Sequence, residues 1–205
     1  MAAGESRRLD TPKQLLRWQG EYFINHAISV AGESALDQVV VVLGCHAEKI
    51  QAVIHDADVG ILRNDEWKSG LGSSIRAGIL AMGKEIDAAI ILLADQPFVT
   101  SELINTLIEE ATNTSVEVVA TRVDGVQCNP VLFKQHLFQK LARLSGDRGA
   151  KMMLSDHKVK WVDWKDVRVL IDIDTPQDYA KALASLAHGS GSDFESAAES
   201  NGSFR

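Results

Sequence analysis

An uninterrupted apolar run at residues 88–94 constrains the fold of this chain more than any other stretch. The run has the length of a strand and lacks polar alternation, which favours a central strand covered by helices on both faces. It ends at Asp95, and Pro97 cannot continue a hydrogen-bonded ladder. In open α/β sheets, ligands bind at the carboxyl ends of such strands. The alternative is that Asp95 only caps a helix that begins near Thr100.

Shorter apolar runs and helix-periodic segments alternate along the rest of the chain, which implies βαβ units and a parallel sheet. Strands are predicted at residues 39–43, 59–62, 88–94, 116–121, 130–133, 159–162 and 169–171. Helices are predicted at residues 21–31, 47–54, 100–111, 137–144 and about 146–154. Two more are predicted to begin after Ser74 and after Thr175, and the last of these has Pro176 in its first turn. We expect one domain over residues 1–187 and a disordered Gly/Ser/acidic tail over residues 188–205.

Composition restricts the class of partner. The net charge of −7 and the lack of clustered cations argue against a nucleic-acid surface. Cys45 and Cys128 are too few for a disulfide framework, so we expect thiols in a reducing cytoplasm. The histidines have no metal-binding spacing, and no apolar run reaches about 18 residues, so we expect neither structural zinc nor a membrane helix.

Small residues followed by cations form a candidate anion-binding loop at the start of the chain. Residues 1–4 read M-A-A-G, and Arg7, Arg8 and Lys13 follow. Small residues let backbone N–H groups approach an anion, and the cations supply charge. Phosphate is the expected ligand, and the alternative is a frayed, solvated terminus.

Two further groups complete a candidate site. Gly70 and Gly72 precede Ser73 and Ser74 at a predicted helix start, where they can contact a phosphate, ribose or base, or serve only as a cap. The segment 172–174 carries two more carboxylates before the last helix. A cationic loop for a triphosphate, together with carboxylates for magnesium, suits nucleotidyl transfer.

Motifs along the chain resemble the MobA-like nucleotidyltransferase family over residues 2–186. A-A-G-x-S-x-R at residues 2–8 is followed by P-K-Q-L-L at residues 12–16. Motifs similar to the molybdenum-cofactor cytidylyltransferase branch are V-V-L-G at 41–44, N-x-x-W-x-x-G-L-G-S-S-I-R-A-G at 64–78, D-Q-P at 95–97, N-P-V-L-F at 129–133, G-D-R-G-A-K at 146–151 and D-I-D-T-P at 172–176. The guanylyltransferase branch usually has two glycines at positions 3 and 4 and G-P-L-x-G at positions 70–74. Neither is present, so cytidylyl transfer ranks above guanylyl transfer.

The resemblance implies a fold, a reaction and a set of partners. The fold is an α/β, Rossmann-like GT-A-type fold with a mostly parallel central sheet and helices on both faces. The reaction is transfer of CMP from CTP to a molybdopterin-type molybdenum cofactor, with release of pyrophosphate. The cofactor is Mg²⁺, with Mn²⁺ as a substitute. The expected partners are CTP, the molybdopterin-type acceptor, and a molybdoenzyme resembling xanthine dehydrogenase or its chaperone.

The same resemblance implies roles for individual residues. Lys13 and Asp95 would be catalytic. Metal ligands would be Asp95 and a second carboxylate, either Asp174 or Asp172. The nucleotide would be bound by Ala2, Ala3, Gly4, Ser6, Arg8, Lys13, Gly70, Ser73 and Ser74. The acceptor would be bound by Asn129, Asp147, Arg148 and Lys151.

The sequence departs from the family pattern at three places. The family has a hydrophobic strand directly before A-A-G, so we expect a truncated first strand here. Asp10 replaces a frequent glycine beside the triphosphate loop, and it is tolerable only if it faces solvent. Cys128 replaces a usual glycine, and we expect it to narrow the acceptor side. Two alternatives stay open: a transferase of the same fold that uses GTP or another phosphate acceptor, such as a sugar or alcohol phosphate, and a nucleotide-binding module with impaired catalysis.

Overall fold

The structure is a computed structural model, and it describes residues 1–146 and 149–187. The strands are β1 (Arg17–Trp18), β2 (Glu21–Tyr22), β3 (Val40–Leu43), β4 (Gly60–Arg63), β5 (Ala88–Ile91), β6 (Val118–Val123), β7 (Val126–Lys134) and β8 (Val159–Asp163). The α-helices are α1 (Phe23–Gly32), α2 (Ala47–Gln51), α3 (Leu71–Ala81), α4 (Ser101–Thr112), α5 (Phe138–Leu141) and α6 (Pro176–Ala187). Short 3-10 helices lie at Lys13–Leu15, Trp67–Ser69, Gln135–Leu137, Ala150–Leu154 and Val167–Leu170.

The strands form a mixed α/β arrangement. The larger sheet has the order β5-β7-β6-β8, and β3 pairs with β4 in a parallel ladder. β6 and β8 are also parallel, whereas β7 runs antiparallel to both β5 and β6. The α/β class and the mostly parallel sheet are confirmed. β5, β6 and β8 share one direction, because β5 and β6 both run antiparallel to β7, and β7 is the strand of this sheet that runs the other way. Asp124 and Gly125 join β6 to β7, and both have positive φ, as the tight turn of an antiparallel hairpin requires.

Helices cover both faces of the larger sheet, as the apolar run at residues 88–94 predicted. Side chains of α3 and α5 pack against Val118 and Ala120 of β6, and α4 packs against Val119 and Val123. Because successive side chains of a strand point to opposite faces, one strand contributes to both apolar layers. A sheet covered on both faces explains why its central segments are apolar without alternation.

Met1 and Ala2 lie between β3 and the continuation of β5. The Met1 amine donates to the carbonyl of Leu92 at 2.7 Å, and the N–H of Ala94 donates to the carbonyl of Met1 at 3.1 Å. On the other side, Ala2 forms a parallel bridge with Leu43. This is the place where the truncated first strand was expected. An apolar cavity of about 160 Å³ adjoins Met1 here, between β3, β5 and α3.

The caps of the later helices agree with the sequence. The Thr100 hydroxyl accepts a hydrogen bond of 3.2 Å from the N–H of Leu103, so Thr100 caps α4 and Asp95 is not the cap. At α6, the Thr175 hydroxyl accepts from the N–H of Asp178 at 3.2 Å. Each bond satisfies an N–H group that has no partner within its own helix.

Several predicted elements differ from the structure. β5 ends at Ile91 rather than at residue 94, and the helix expected over about 146–154 is a 3-10 helix at Ala150–Leu154. Residues 169–171 were expected to form a strand, and this is wrong, because a 3-10 helix occupies Val167–Leu170. Asp166 caps that helix by accepting from the N–H of Arg168 at 3.0 Å, a side-chain bond that competes with strand pairing. The helix predicted at residues 21–31 begins only at Phe23, since β2 pairs with β1.

No helix within residues 1–146 and 149–187 is long and apolar enough to cross a membrane. The predicted disordered tail at residues 188–205 lies outside the described residues.

Candidate active site

A cavity of about 490 Å³ lies where the start of the chain meets the end of β5. This volume is within the usual range for sites that bind small molecules. The wall consists of residues 1–8, Lys13, Gln14, Trp67, Lys68, Gly70, Leu71, Ser74, residues 93–95 and Asp174. The cavity therefore brings together the small-residue loop, the glycine–serine turn and two of the predicted carboxylates.

The backbone of the small-residue loop is held by Gln14. This side chain is 1% exposed, and its Nε2 donates to the carbonyl of Ala2 at 2.9 Å and to that of Gly4 at 3.4 Å. The Ser6 hydroxyl accepts from the N–H of Lys13 at 2.9 Å, which closes the other end of the loop. Gln14 was not predicted as a site residue. Its position directly after Lys13 in P-K-Q-L-L was the available signal.

Two cations and two carboxylates meet on one side of the cavity. The Lys13 ammonium contacts the Asp95 carboxylate and lies 3.1 Å from Oδ1 of Asp174. Arg8 donates to the other Asp174 oxygen, Oδ2, at 2.7 Å. Burial by itself lowers the pKa of Lys13, but the attraction of Asp95 and the hydrogen bonds with Asp95 and Asp174 outweigh burial and raise this pKa. Lys13 is therefore a cation here, held between two anions.

Asp95 and Asp174 fit a divalent metal ion of the magnesium type. Oδ1 of Asp95 is buried and accepts no hydrogen bond from the described part of the chain. A buried carboxylate oxygen without a hydrogen bond is typically satisfied by an ion or a water molecule. No group of three or more His, Cys, Asp or Glu side chains is arranged for a metal within residues 1–146 and 149–187. Mg²⁺ typically takes one or two carboxylates plus phosphate oxygens, so this pair suits an ion that binds together with a nucleotide.

Asp172 has a different environment from Asp174. Its Oδ1 accepts a hydrogen bond of 2.7 Å from Nε2 of Gln96, next to the cavity residue Asp95. The N–H of Ile173 donates to the carbonyl of Asp95 at 3.0 Å. These bonds hold residues 172–173 against residues 95–96, and the geometry favours Asp174 over Asp172 as the second ligand.

The glycine–serine turn is organised by Asn64. The buried Asn64 amide donates to the hydroxyls of Ser73 and Ser74 at 2.9 and 3.0 Å. The Ser73 hydroxyl is also 2.8 Å from the carbonyl of Gly70, so its bonds are made inside the turn, whereas Ser74 lines the cavity. Gly70 has φ of +91°, a conformation that favours glycine. Asn64 was not predicted as a site residue, although it begins the N-x-x-W motif.

The predicted acceptor residues are only partly described. The N–H of Gly72 donates to the carbonyl of Gly146 at 2.9 Å, so the G-D-R-G-A-K motif begins beside the glycine–serine turn. Asp147 and Arg148 lie outside the described residues, and only the backbone of Lys151 is described, within Ala150–Leu154. Asn129 is half-buried on β7. The acceptor site stays a prediction.

The departures from the family pattern have clear positions. Asp10 is exposed, as expected for a carboxylate near the small-residue loop. Cys128 is 4% exposed and packs in the apolar layer under α4, with Val99 and Leu132. The side chain of Cys128 therefore lies in the core, and its expected effect on the acceptor side stays a prediction.

The chain is similar to several known proteins over most of its length. A family model described as a MobA-like NTP transferase domain matches residues 1–163. Purine catabolism protein PucB of Bacillus subtilis (strain 168) is 31% identical over 190 residues, covering 87% of this chain and 91% of that protein. A probable molybdenum cofactor guanylyltransferase of Bacillus mycoides (strain KBAB4) is 28% identical over 198 residues, covering 92% and 96%. Nicotine blue oxidoreductase of Paenarthrobacter nicotinovorans is 28% identical over 195 residues, covering 89% and 94%.

Solved structures show the same fold. The crystal structure of Rv0371c from Mycobacterium tuberculosis H37Rv superposes with a TM-score of 0.79 at 28% identity, covering 89% of this chain and 95% of that chain. A structure of Rv0371c in complex with manganese has a TM-score of 0.78 at 24% identity, with the same coverage.

Proposed function

Because this chain belongs to the MobA-like NTP transferase family and is a nucleotidyltransferase, we propose that it transfers CMP from CTP to a molybdopterin-type molybdenum cofactor and releases pyrophosphate. The observation that carries the proposal is the cluster of Lys13, Asp95 and Asp174 on the wall of a cavity that small residues also line. Opposed charges of this kind suit the binding of a metal and a triphosphate. They favour phosphate chemistry over the redox chemistry that one relative's name states.

In the proposed reaction, an acceptor phosphate oxygen attacks the α-phosphorus of CTP. A phosphorus–oxygen bond forms, the bond to the β-phosphate breaks, and pyrophosphate leaves. Lys13 and Arg8 would offset the charge on the phosphates, and the backbone of residues 2–6 would place them. A divalent ion held by Asp95 and Asp174 supplies further charge neutralisation when bound. Because a phosphate is already a nucleophile, positioning and electrostatics carry the catalysis, without a Ser/His/Asp relay.

The preference for CTP is supported by the cavity wall. Ala3 and Ser74 both line the cavity, at positions where the guanylyl branch usually has glycine. These departures from the guanylyl pattern support the proposed preference for CTP. GTP is the competing substrate, because several relatives are named probable molybdenum cofactor guanylyltransferase.

The acceptor and the metal are supported by relatives. Proteins named probable molybdenum cofactor guanylyltransferase match 92% of this chain, which supports a molybdopterin-type acceptor. The manganese complex of Rv0371c supports a divalent ion, and Mg²⁺ is the ion proposed here. The product would pass to a molybdoenzyme of the xanthine dehydrogenase type or to its chaperone.

The test is pyrophosphate release in the presence of Mg²⁺, molybdenum cofactor, and each of CTP, GTP, ATP and UTP in turn, with the product identified by mass spectrometry. We expect turnover with CTP and a CMP-linked product. Asp95→Asn should reduce turnover by about 100-fold or more, the typical cost of losing an electrostatic stabiliser. Asp10→Asn is the control. It removes an exposed carboxylate near the small-residue loop and should keep wild-type turnover.

Each contrary result points to a specific alternative. Turnover with GTP alone would replace cytidylyl by guanylyl transfer. Turnover with CTP and a sugar or alcohol phosphate, but not with molybdenum cofactor, would replace the acceptor. Nucleotide binding without turnover on any acceptor would favour the impaired nucleotide-binding module.

A further inference from the structure

The Lys13 ammonium occupies the space between the two carboxylates that fit a metal ion. It contacts Asp95 and lies 3.1 Å from Oδ1 of Asp174. We infer that Lys13 is an internal counter-ion, which holds the metal position in the free protein and moves to the triphosphate when metal and nucleotide bind. This inference rests on the proposed function and adds a form of regulation at the same site: the divalent ion is excluded until nucleotide is present.

The ammonium and a metal ion compete because they use the same oxygens. The side chains of Lys13 and Asp95 are only 16% and 17% exposed, so water screens their attraction less than at the surface. Asp174 is more open, at 42% exposed, and it is shared with Arg8. A divalent ion that enters without a nucleotide must therefore displace the Lys13 ammonium. In return it is coordinated only by the carboxylates of Asp95 and Asp174.

A nucleotide changes this balance in two ways. Its phosphates offer oxygen ligands that complete the coordination of the ion, and they offer the Lys13 ammonium a new anionic partner. Metal and nucleotide should therefore each raise the affinity for the other, since such coupling is reciprocal.

The local structure allows the side chain to move while the backbone stays in place. The N–H of Lys13 is bonded to the Ser6 hydroxyl, and Gln14 anchors the loop through Ala2 and Gly4. A lysine stem has several rotatable bonds, so its ammonium can move from carboxylate to phosphate by changing rotamer. The same wall of residues 2–8 lines the cavity that would hold the phosphates.

The test is binding of Mn²⁺ alone, measured by electron paramagnetic resonance, to the wild type, Lys13→Met and Lys68→Met. Lys68 is the matched control, because it lines the same cavity but lies over the Trp67 ring, 5.4 Å from its centroid. Without nucleotide, Lys13→Met should bind Mn²⁺ about tenfold or more tightly than the wild type, because a competing charge is removed. Lys68→Met should bind like the wild type. Adding CTP should tighten Mn²⁺ binding more in the wild type than in Lys13→Met.

Equal affinity of the wild type and Lys13→Met for Mn²⁺ would overturn the counter-ion role. The same holds if Lys68→Met gains as much affinity for Mn²⁺ as Lys13→Met does. If Lys13→Met is unfolded by circular dichroism, Lys13→Gln is measured in its place. Side-chain NMR of the wild type gives a check without mutation: millimolar Mg²⁺ alone should leave the Lys13 signals in place, and Mg²⁺ with CTP should shift them. Equal shifts in both conditions would contradict the inference.

Failure of the proposed function would give a different pattern. Tighter Mn²⁺ binding by Lys13→Met, with no effect of CTP on any variant, would retain the counter-ion and reject the nucleotide chemistry.

Discussion

The side-chain amide of Gln96 donates a hydrogen bond of 2.7 Å to Oδ1 of Asp172, across 76 positions of sequence. Gln96 follows Asp95 at the end of the central strand, and Asp172 lies two residues before Asp174. With the bond from Ile173 to the carbonyl of Asp95, this contact sets the spacing of the two candidate metal ligands. Asp172 is therefore interpreted as a positioning residue.

Substitutions at Asp172 and Asp174 should separate positioning from metal binding. Asp172→Ala leaves the buried Gln96 amide without its acceptor, which should cost about 1–3 kcal/mol of unfolding free energy. Asp172→Asn retains a side-chain acceptor and should restore most of the loss. Asp174→Asn should leave the unfolding free energy nearly unchanged and weaken Mn²⁺ binding in the presence of CTP. Urea denaturation and paramagnetic resonance are the measurements, and weaker Mn²⁺ binding in Asp172→Asn than in Asp174→Asn would contradict these roles.

Gln14→Leu should weaken nucleotide binding. The substitution keeps the approximate size of the side chain but removes the donor to the carbonyls of Ala2 and Gly4, so the small-residue loop loses its anchor. We expect KM for the nucleotide to rise about tenfold, on the basis of about 1–1.5 kcal/mol for such hydrogen bonds, with a smaller change in kcat. Gln51→Leu, at an exposed position at the end of α2, is the control and should leave both constants unchanged. An unchanged KM in Gln14→Leu would show that the loop keeps its shape without this amide.

Gly72→Ala should disrupt the contact between the glycine–serine turn and the segment at Gly146. A Cβ atom at Gly72 would lie 2.8 Å from the backbone nitrogen of Ser145, which is closer than such atoms approach in proteins. Because that neighbour is backbone, the segment must shift, and we expect a loss of about 1–3 kcal/mol in unfolding free energy and reduced transfer activity.

Gly32→Ala is the matched control for this substitution. Gly32 ends α1, and a Cβ there would meet nothing within 4 Å. Alanine is favoured over glycine in helices by about 1 kcal/mol, so this variant should be as stable as the wild type or more so. The comparison is made by thermal denaturation of Gly72→Ala and Gly32→Ala. Equal stability of the two variants would show that residues 145–146 can shift without a loss of stability.

Stability should increase between about pH 6 and pH 8 in the chain that begins at Met1. Burial lowers the pKa of the Met1 amine from 8.0 to about 6, with an opposing effect from Asp95. In this interval the unfolded chain binds more protons than the folded one, so the free energy of unfolding rises with pH, by about 2–3 kcal/mol in total. Urea denaturation at several pH values measures the change.

Acetylation of the Met1 amine provides the control for the pH effect. The acetylated nitrogen no longer titrates but keeps an N–H for the carbonyl of Leu92, and the adjacent apolar cavity can receive the acetyl group. The acetylated chain should lack the rise between pH 6 and pH 8. An identical rise in both forms would assign the effect to another group.

Local patterns in the sequence determined the class of fold and most of its elements. The run at residues 88–94 predicted a central strand covered on both faces, because burial on both faces removes polar alternation. Helices were predicted to begin near Thr100 and after Thr175, and both threonines cap the helices that follow them. Motif resemblance also placed Lys13, Asp95 and Asp174 in the candidate site, and the structure brings these three side chains together.

Only the tertiary structure decided how distant segments meet. The direction of β7, the separate environments of Asp172 and Asp174, and the roles of Gln14 and Asn64 depend on contacts between segments far apart in the chain. The sequence does not distinguish a buried side-chain amide from an exposed one, and the hydrogen-bond partners of Gln14 and Asn64 are defined only after folding. Local propensity acts over a few residues, whereas the charge cluster of Lys13 and Asp174 joins groups separated by 161 positions, so packing alone determines it.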